Sequence, residues 1–304
     1  MSRYITQRVI HLLPILIGIS VVTFLMLHLI PGDPVLIFAG DKPLTEQRHE
    51  ELRHELGLDR PLWAQYWTYV SGIAHGDLGV GLHSGRPVLD SIREAAPATA
   101  ALTLSALGVA VVLGLGLGIA AALAHGTWFD TVTMTIAILG VSMPVFYLGL
   151  LMIIFFSFDL RWFPATGQGG FSHLAMPAAA LGLVTSAVLA RLVRSSMLAV
   201  LREDYVQTAR AKGLPRAIVV LRHALKNALI PILTVLGLQL GALLSGAVVT
   251  ETIFSRAGLG RLAVDAILNR DYSLVQGAVL FSALVYVIAN LLVDVAYAAV
   301  DPRI

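Results

Sequence analysis

The residues that could carry catalysis are few in this 304-residue chain. Cysteine is absent, which excludes thiolate catalysis, disulfides, iron–sulfur clusters and Cys-type zinc sites. We find no Gly-x-Ser-x-Gly or His-Glu-x-x-His motif and no Gly-x-x-x-x-Gly-Lys-Ser/Thr phosphate loop. We therefore expect no catalytic residue, no metal site and no cofactor-binding site, and no ATP binding by this chain in the usual way.

Polar residues inside the apolar stretches are equally scarce. Asp294 is the one acid deep in such a stretch, while His11 and His28 lie near the two ends of the first one. A secondary transporter normally has several ionisable residues at membrane depth. Asp294 would then be a coupling or gating carboxylate, and the favoured alternative is a structural acid with a backbone or basic partner. Gln239 is similarly interpreted as a hydrogen bond between helices rather than a substrate ligand.

The pattern best suited to a function is a charged helix between two apolar stretches. Glu203 and Asp204 precede the helix-forming run Tyr205–Lys212, and Gly213 followed by Leu214 and Pro215 ends it. We expect a short exposed helix at about 204–213, with Ala209 and Ala211 keeping its profile slim. Such a helix fits a cleft on a cytoplasmic partner, and a helix on anionic lipid headgroups is the alternative.

The elements that position this helix are membrane spans. The chain is 57% hydrophobic and 13% charged, about half the charge of a soluble domain, and its mean hydropathy is +0.80. Runs of about 20 apolar residues are long enough to cross a bilayer as helices. They predict an all-α polytopic membrane protein of about six spans: Val9–Ile30, Thr99–Ala124, Val132–Phe158, Leu174–Ala190, Ala228–Thr250 and Gly277–Val300.

Lysine and arginine in the short loops predict the orientation. The segment 191–227 carries eight of them, whereas the loop 159–173 carries only Arg161. By the positive-inside rule the basic segment and both termini face the cytoplasm. The net charge of +2 and the pI near 9.0 come with no nucleic-acid-binding motif, so we expect no nucleic acid partner.

The chain divides at about residue 95. Residues 1–95 combine one span with an extracytoplasmic segment, and residues 96–304 form a core of five spans. In the segment we predict a helix over Thr45–Glu55 ended by Gly57, and a second helix starting at Pro61. Its stripe of Trp63, Tyr66, Trp67 and Val70 indicates an aromatic belt at the membrane surface or a docking surface. We expect close helix contacts at Gly114 and Gly118. We expect kinks at four prolines: Pro14, Pro144, Pro177 and Pro231.

The sequence around the charged helix resembles a known family. Tyr205–Gly213, followed by His223–Ala228 and Pro231, closely resembles the EAA loop of binding-protein-dependent ABC importers, specifically the dipeptide/oligopeptide/nickel group. Gly213 falls on the family glycine, and Ala209 keeps the pattern. Gln207 and Thr208 depart from Glu-Ala, as is usual in the peptide group. Further matches follow in order along the chain, as in the first permease subunit of such systems: Pro31–Pro34, Leu56–Pro61, Gly76–Gly79, Glu251–Phe254, Gly258–Gly260, Arg270–Tyr272 and Asp301–Arg303.

The resemblance implies a permease fold of the type I importer class and a set of partners. These are a second homologous permease subunit, two ATP-binding cassette subunits that bind ATP and Mg, an extracytoplasmic substrate-binding protein, and the lipid bilayer. It implies di- or oligopeptide import, with glutathione, nickel chelates and oligosaccharides as alternatives. A secondary transporter and a membrane scaffold are the rival classes.

The resemblance also assigns roles to single residues. The coupling helix contacts the ATP-binding subunit through Asp204, Tyr205, Gln207, Thr208, Ala209, Arg210, Ala211, Lys212, Gly213 and Leu214. A second set is a candidate gate or binding-protein contact on the extracytoplasmic side, with plain structural turns as the alternative: Asp33, Glu251, Arg270 and Asp271.

Overall fold

The computed structural model describes residues 2–29, 35, 45–55 and 57–300, and these are helical apart from loops and an antiparallel bridge between Val80 and Pro87. Asp33, Leu56 and the matching segments 31–34 and 301–303 lie outside the described residues. Residues 153–159 and 219–224 are π-helical. The helices are α1 (Ser2–Leu29), α2 (Glu46–Glu55), α3 (Leu62–Ala74), α4 (Val88–Leu123), α5 (Trp128–Ser142), α6 (Val145–Asp159), α7 (Phe171–Val200), α8 (Asp204–Ala211), α9 (Arg216–Ile253), α10 (Leu259–Leu268) and α11 (Tyr272–Val300).

Each apolar run predicted to span the membrane is helical over most of its described part, which confirms the all-α polytopic fold. Within the described residues, α4, α7, α9 and α11 are long and apolar enough to cross a bilayer. The bent pair α5 and α6 makes a fifth span if it is counted as one. In α1 the apolar segment Leu12–Met26 is shorter than a full span. The predicted first span ends at Ile30, which lies outside the described residues.

The predicted span Val132–Phe158 is two helices rather than one kinked helix. The axes of α5 and α6 are bent by 104° at Met143 and Pro144. Met143 is extended at φ −90° and ψ 123°, because a residue before proline avoids the helical region. Pro144 then precedes the first residue of α6, where its missing N–H costs nothing. The prolines at 14, 177 and 231 instead lie inside α1, α7 and α9.

Among the described residues, the first compact unit comprises residues 98–261 and 288–300 together with Ser2. Its core surrounds α7, whose Leu189 and Val193 are fully buried. Gly114 and Gly118 of α4 face these side chains so closely that a Cβ would lie 2.7 Å from Leu189 and 2.6 Å from Val193. The predicted close helix approach at the two glycines is confirmed.

The second compact unit comprises the described residues within 3–97, which are 3–29, 35, 45–55 and 57–97, together with 262–287. The two predicted helices of its long segment are present as α2 and α3. The Thr45 hydroxyl accepts a hydrogen bond from the Arg48 N–H at the start of α2, and Gly57 has φ +67° after its end. α3 starts at Leu62 with Pro61 as its N-cap, one residue later than predicted.

Candidate functional site

The charged segment between α7 and α9 forms the short helix α8, as its sequence predicts. Asp204 lies in its first turn and Arg210 in its last, which matches the charges to the helix dipole. Gly213 has φ +76°, and its N–H donates to the Arg210 carbonyl at 2.9 Å. This left-handed residue ends the helix because glycine adopts positive φ without steric cost.

One face of α8 is packed inward, against expectation. Val206 is fully buried, and Ala209 is 6% exposed. Both belong to an apolar cluster to which α7 contributes Val193 and Met197 and α9 contributes Val219. The expectation that Ala209 contributes to an exposed, slim profile is therefore wrong: three residues separate it from Val206, so both side chains point into the protein.

The remaining candidate residues of this helix lie on the surface. Tyr205 is 42% exposed, and Leu214 is exposed just beyond the glycine. Every other candidate of the set is exposed as well: Asp204, Gln207, Thr208, Arg210, Ala211, Lys212 and Gly213. The helix thus has two buried residues that fix it to the protein, while its other side chains are exposed.

Side-chain hydrogen bonds fix the orientation of α8. The Asn227 amide of α9 donates to the Tyr205 hydroxyl at 2.7 Å, and the Gln207 amide donates to the Leu201 carbonyl at 3.0 Å. The Arg216 guanidinium donates to the carbonyl of Leu123 at the end of α4, at 3.3 Å. The first two bonds thus connect α8 to α9 and to the residue that follows α7.

A partly buried ion pair lies at the start of α5. The Arg194 guanidinium of α7 binds both carboxylate oxygens of Asp130 at the start of α5, at 2.5 and 2.7 Å. The Asp130 side chain is buried, and it also accepts from the Gly126 N–H and contacts the His125 ring. This pair ties α5 to α7.

Sequence analysis missed Asp130, although a signal was present. It is the lone Asp, Glu, Lys or Arg between Glu94 and Asp159. An isolated acid at the edge of a membrane span requires a compensating partner, and Arg194 lies at the edge of the next one. Arg194 was counted only toward the basic loop, so the pairing was not anticipated.

At the opposite end of α9, Glu251 is completely buried. Its carboxylate accepts hydrogen bonds from the Thr99 hydroxyl and from the N–H groups of Gly260 and Arg261. The Thr99 hydroxyl in turn accepts from the Leu259 N–H at 2.8 Å. Glu251 thus neutralises the positive N-terminus of α10, a favourable position for a carboxylate.

The loop between α9 and α10 is packed around this carboxylate. A Cβ at Gly258 would lie 2.2 Å from the Glu251 carboxyl, so that position has room only for glycine. Arg256 is buried beside it and donates to the His173 carbonyl at 3.2 Å. Burial lowers the pKa of Arg256, and the Glu251 charge acts in the opposite direction.

The other candidate gate residues differ in accessibility. Asp271 is buried, and it accepts hydrogen bonds from the Leu82 N–H at 2.8 Å and the Leu274 N–H at 3.1 Å. Arg270 is exposed and has φ +54°. Glu251 and Asp271 therefore have structural hydrogen bonds and no surface for direct contact in this conformation. Asp33 lies outside the described residues, as does the side chain of Asp294.

An architecture of apolar helices with one short polar helix, α8, is found in a known protein family that this chain matches. A family described as binding-protein-dependent transport system inner membrane component matches residues 114–304, and its N-terminal counterpart matches residues 1–103. The chain is thus a transport permease with several apolar membrane helices. It belongs to the family of binding-protein-dependent transport system inner membrane components, the permease subunits of ABC importers.

Individual relatives match along the whole chain. The di/tripeptide transport system permease protein DppB of Pseudomonas aeruginosa (strain UCBPP-PA14) is 44% identical, and the dipeptide transport system permease protein DppB of Escherichia coli (strain K12) is 42% identical. The glutathione transport system permease protein GsiC of Escherichia coli (strain K12) is 44% identical. In each case the alignment covers 100% of this chain and 99% of the relative.

A solved structure shows the same fold. The crystal structure of an amino acid ABC transporter with histidines matches at a TM-score of 0.50 and 17% identity, over 71% of this chain and 94% of that chain. The resemblance inferred from the loop at 205–213 is confirmed at the level of the family.

Proposed function

We propose that this permease imports di- or oligopeptides, with energy from ATP that partner subunits hydrolyse. The relatives named for dipeptides and di/tripeptides support this substrate class. Glutathione is the second candidate, because a relative named for it has a similar identity over the full length. Glutathione is itself a tripeptide, but its first amide bond is formed by the γ-carboxyl of glutamate, so the two candidates differ in backbone geometry at that residue.

The observation that carries the proposed mechanism is the two-sided packing of α8. Its polar half, from Asp204 to Leu214, contacts an ATP-binding subunit, and Val206 and Ala209 fasten its other half to α7 and α9. When ATP and Mg close the ATPase pair, α8 moves with its partner as a rigid body. The ends of α7 and α9 follow, and the spans alternate between inward and outward access.

The assembly contains four further subunits in this proposal: a second homologous permease, two ATP-binding cassette subunits and an extracytoplasmic binding protein. The binding protein delivers the peptide at the face opposite α8. Arg270 is the exposed member of the described gate candidates and is the residue available for direct contact there. Glu251 and Asp271 support that face from inside through their hydrogen bonds.

Both termini and α8 face the cytoplasm in this proposal, with residues 31–98 outside. The absence of cysteine allows a direct test with single cysteines at Gln47 and Arg216, which are both exposed. An impermeant thiol reagent applied to whole cells should label Gln47→Cys and leave Arg216→Cys unlabelled. The reverse labelling pattern would overturn the orientation.

The docking role of α8 is tested by adding bulk to its exposed half. Ala211→Trp should insert normally but lose the ATP-binding subunit on affinity purification, because the indole occupies the docking surface. Ala257→Trp is the matched control, since Ala257 is exposed at the other end of α9. Full retention of the ATP-binding subunit by Ala211→Trp would refute the docking role and leave α8 as a linker.

The substrate is tested with the complete importer in proteoliposomes. ATP-dependent uptake of a labelled dipeptide, with competition by glutathione, separates the two candidates. The isolated permease should hydrolyse no ATP in the same assay. Hydrolysis by the homogeneous permease would contradict the division of labour between the subunits.

A further inference from the structure

Helix α3 has an unusual composition for a segment outside the spans. Leu62–Ala74 contains no Asp, Glu, Lys, Arg or His, whereas charged residues flank it at Asp59, Arg60 and Asp77. With 13 residues it is about 20 Å long, too short to cross the hydrocarbon of a bilayer. The neighbouring helix α2 has a similar length but consists mostly of charged residues.

One face of α3 is fastened to α1. The hydroxyl of Tyr66 forms a hydrogen bond with that of Ser20 at 2.9 Å, and the hydroxyl of Tyr69 forms one with that of Thr23 at 3.0 Å. The Phe24 ring packs edge-on against Tyr66, with the ring centroids 5.4 Å apart. The predicted aromatic stripe is therefore divided, and its tyrosine belongs to an internal contact.

The opposite face of α3 is apolar and open. Trp63 and Trp67 are 74% and 71% exposed, one helical turn apart. The hydroxyls on this side donate to the helix itself, Thr68 to the Ala64 carbonyl and Ser71 to the Thr68 carbonyl, both at 3.0 Å. This face therefore presents two large rings and hydroxyls whose hydrogen bonds are already made.

A hydrogen bond fixes the depth of this face. The Gln276 amide of α11 donates to the Thr23 carbonyl at 2.8 Å, and Thr23 is also the residue that holds Tyr69. Gln276 lies about 6 Å along the helix from the first residue of α11. The charged residues of this region end at Asp271, immediately before the apolar stretch of α11 begins. Helix α3 thus lies level with the boundary between charged and apolar sequence.

We propose that α3 is an interfacial helix that lies in the bilayer surface, with Trp63 and Trp67 between the lipid headgroups and the acyl chains. Tryptophan is enriched at this depth because its ring is apolar while its N–H seeks a polar partner. Because the helix has no charged side chain, α3 requires only the boundary between headgroups and acyl chains. It requires no particular headgroup charge. Through Trp63 and Trp67, α3 anchors the segment between the first two spans to the membrane.

The test uses spin labels at single cysteines in the full chain reconstituted into bilayers. Labels at Trp63→Cys and Trp67→Cys should collide with oxygen, which dissolves in lipid, several-fold more readily relative to a water-soluble nickel chelate than a label at Gln47→Cys on α2. The same ratio is expected in phosphatidylcholine and in mixtures with phosphatidylglycerol. Accessibility to the nickel chelate equal to that at Gln47 would overturn the proposal, and so would a label shielded from both reagents, because a protein would then cover the face.

A second measurement keeps both tryptophans in place. In a Trp128→Phe/Trp162→Phe variant, Trp63 and Trp67 are the fluorophores that remain, since the chain has four tryptophans. Lipids brominated near the glycerol end of the acyl chain should quench their emission more strongly than lipids brominated near the terminal methyl. Equal absence of quenching by both lipids would place the rings outside the bilayer and refute the inference.

Discussion

The two ends of α9 are built in opposite ways. At its start, α8 presents exposed side chains from Asp204 to Leu214 and is fastened through the buried Val206 and Ala209. At its far end, Glu251 is buried, and its carboxylate is bonded to Thr99 and to the N-terminus of α10. One end exposes its polar groups, while the other uses its polar groups to hold the chain together.

This difference predicts which substitutions separate function from stability. A change on the exposed half of α8 removes no buried contact, so it should alter docking without altering unfolding. A change in the Glu251 network leaves buried donors or acceptors unpaired, which costs about 1–3 kcal/mol for each group. The comparison is sharpened by variants in the Asp130–Arg194 ion pair, within the Glu251 network, and on α8 itself.

The largest expected effect lies in the ion pair between α5 and α7. Asp130→Ala leaves the Arg194 guanidinium without its partner, and because this side chain is 25% exposed the cost is about 3 kcal/mol, the lower end of the range for a fully buried pair. Thermal unfolding in detergent should show a marked fall in the melting temperature, and Arg194→Ala should show a similar one. Asp204→Ala is the control, since this acid is exposed in the same region. An unchanged melting temperature for Asp130→Ala would mean that the Asp130–Arg194 ion pair contributes little to stability.

The Glu251 network should respond to a single methyl group. Gly258→Ala places a Cβ against the Glu251 carboxyl, and such overpacking costs about 1–3 kcal/mol. Gly116→Ala serves as the control because nothing lies within 4 Å of the added carbon there. We expect a lower melting temperature for the first variant and no decrease for the second. Equal stability of both would show that the loop at residues 254–258 yields easily and is not sealed.

Much of the fold was predictable because membrane spans are marked by long apolar runs. The break at Met143 and Pro144 was not, since proline alone predicts a local disruption and leaves the angle between the two helices open. That angle depends on packing between helices. A Cβ on Gly149 of α6, for example, would lie only 3.2 Å from the Phe254 ring. Local sequence contains no direct record of such a contact.

The helix ends and charges of the candidate site were predictable from residue type, whereas its packing was less so. The charges at both ends of α8 and the positive φ of Gly213 follow from residue type. The inward orientation of Ala209 depends on the apolar surface that α7 and α9 present, which requires their relative placement. The burial of Glu251 and Asp271 was missed for a related reason: their hydrogen-bond donors come from distant positions such as Thr99 and Leu82.

The end of α8 should be sensitive through its backbone. Nothing lies within 4 Å of a Cβ at Gly213, so a side chain there is opposed by the φ of +76° alone. Gly213→Val should cost about 1–3 kcal/mol locally, whereas Gly213→Asn should cost less because asparagine tolerates the left-handed region. We expect transport to fall more for valine than for asparagine, with the melting temperature of the spans unchanged. Equal transport by the two variants would argue against a fixed helix end.

The smallest effect concerns the hydrogen bond that orients α8. Tyr205→Phe keeps the ring and removes the acceptor of the 2.7 Å bond from Asn227, at a cost of about 0.5–1.5 kcal/mol. Because the buried Val206 and Ala209 remain in place, the helix should stay docked, the ATP-binding subunit should be retained, and transport should fall only modestly. Asn227→Leu removes the donor of the same bond, and the double variant should be no worse than the more affected single variant if the bond is the common cause. If Tyr205→Phe instead loses the ATP-binding subunit while Asn227→Leu retains it, the hydroxyl itself contacts the partner. The boundary between the buried and the docking half of α8 would then pass through Tyr205.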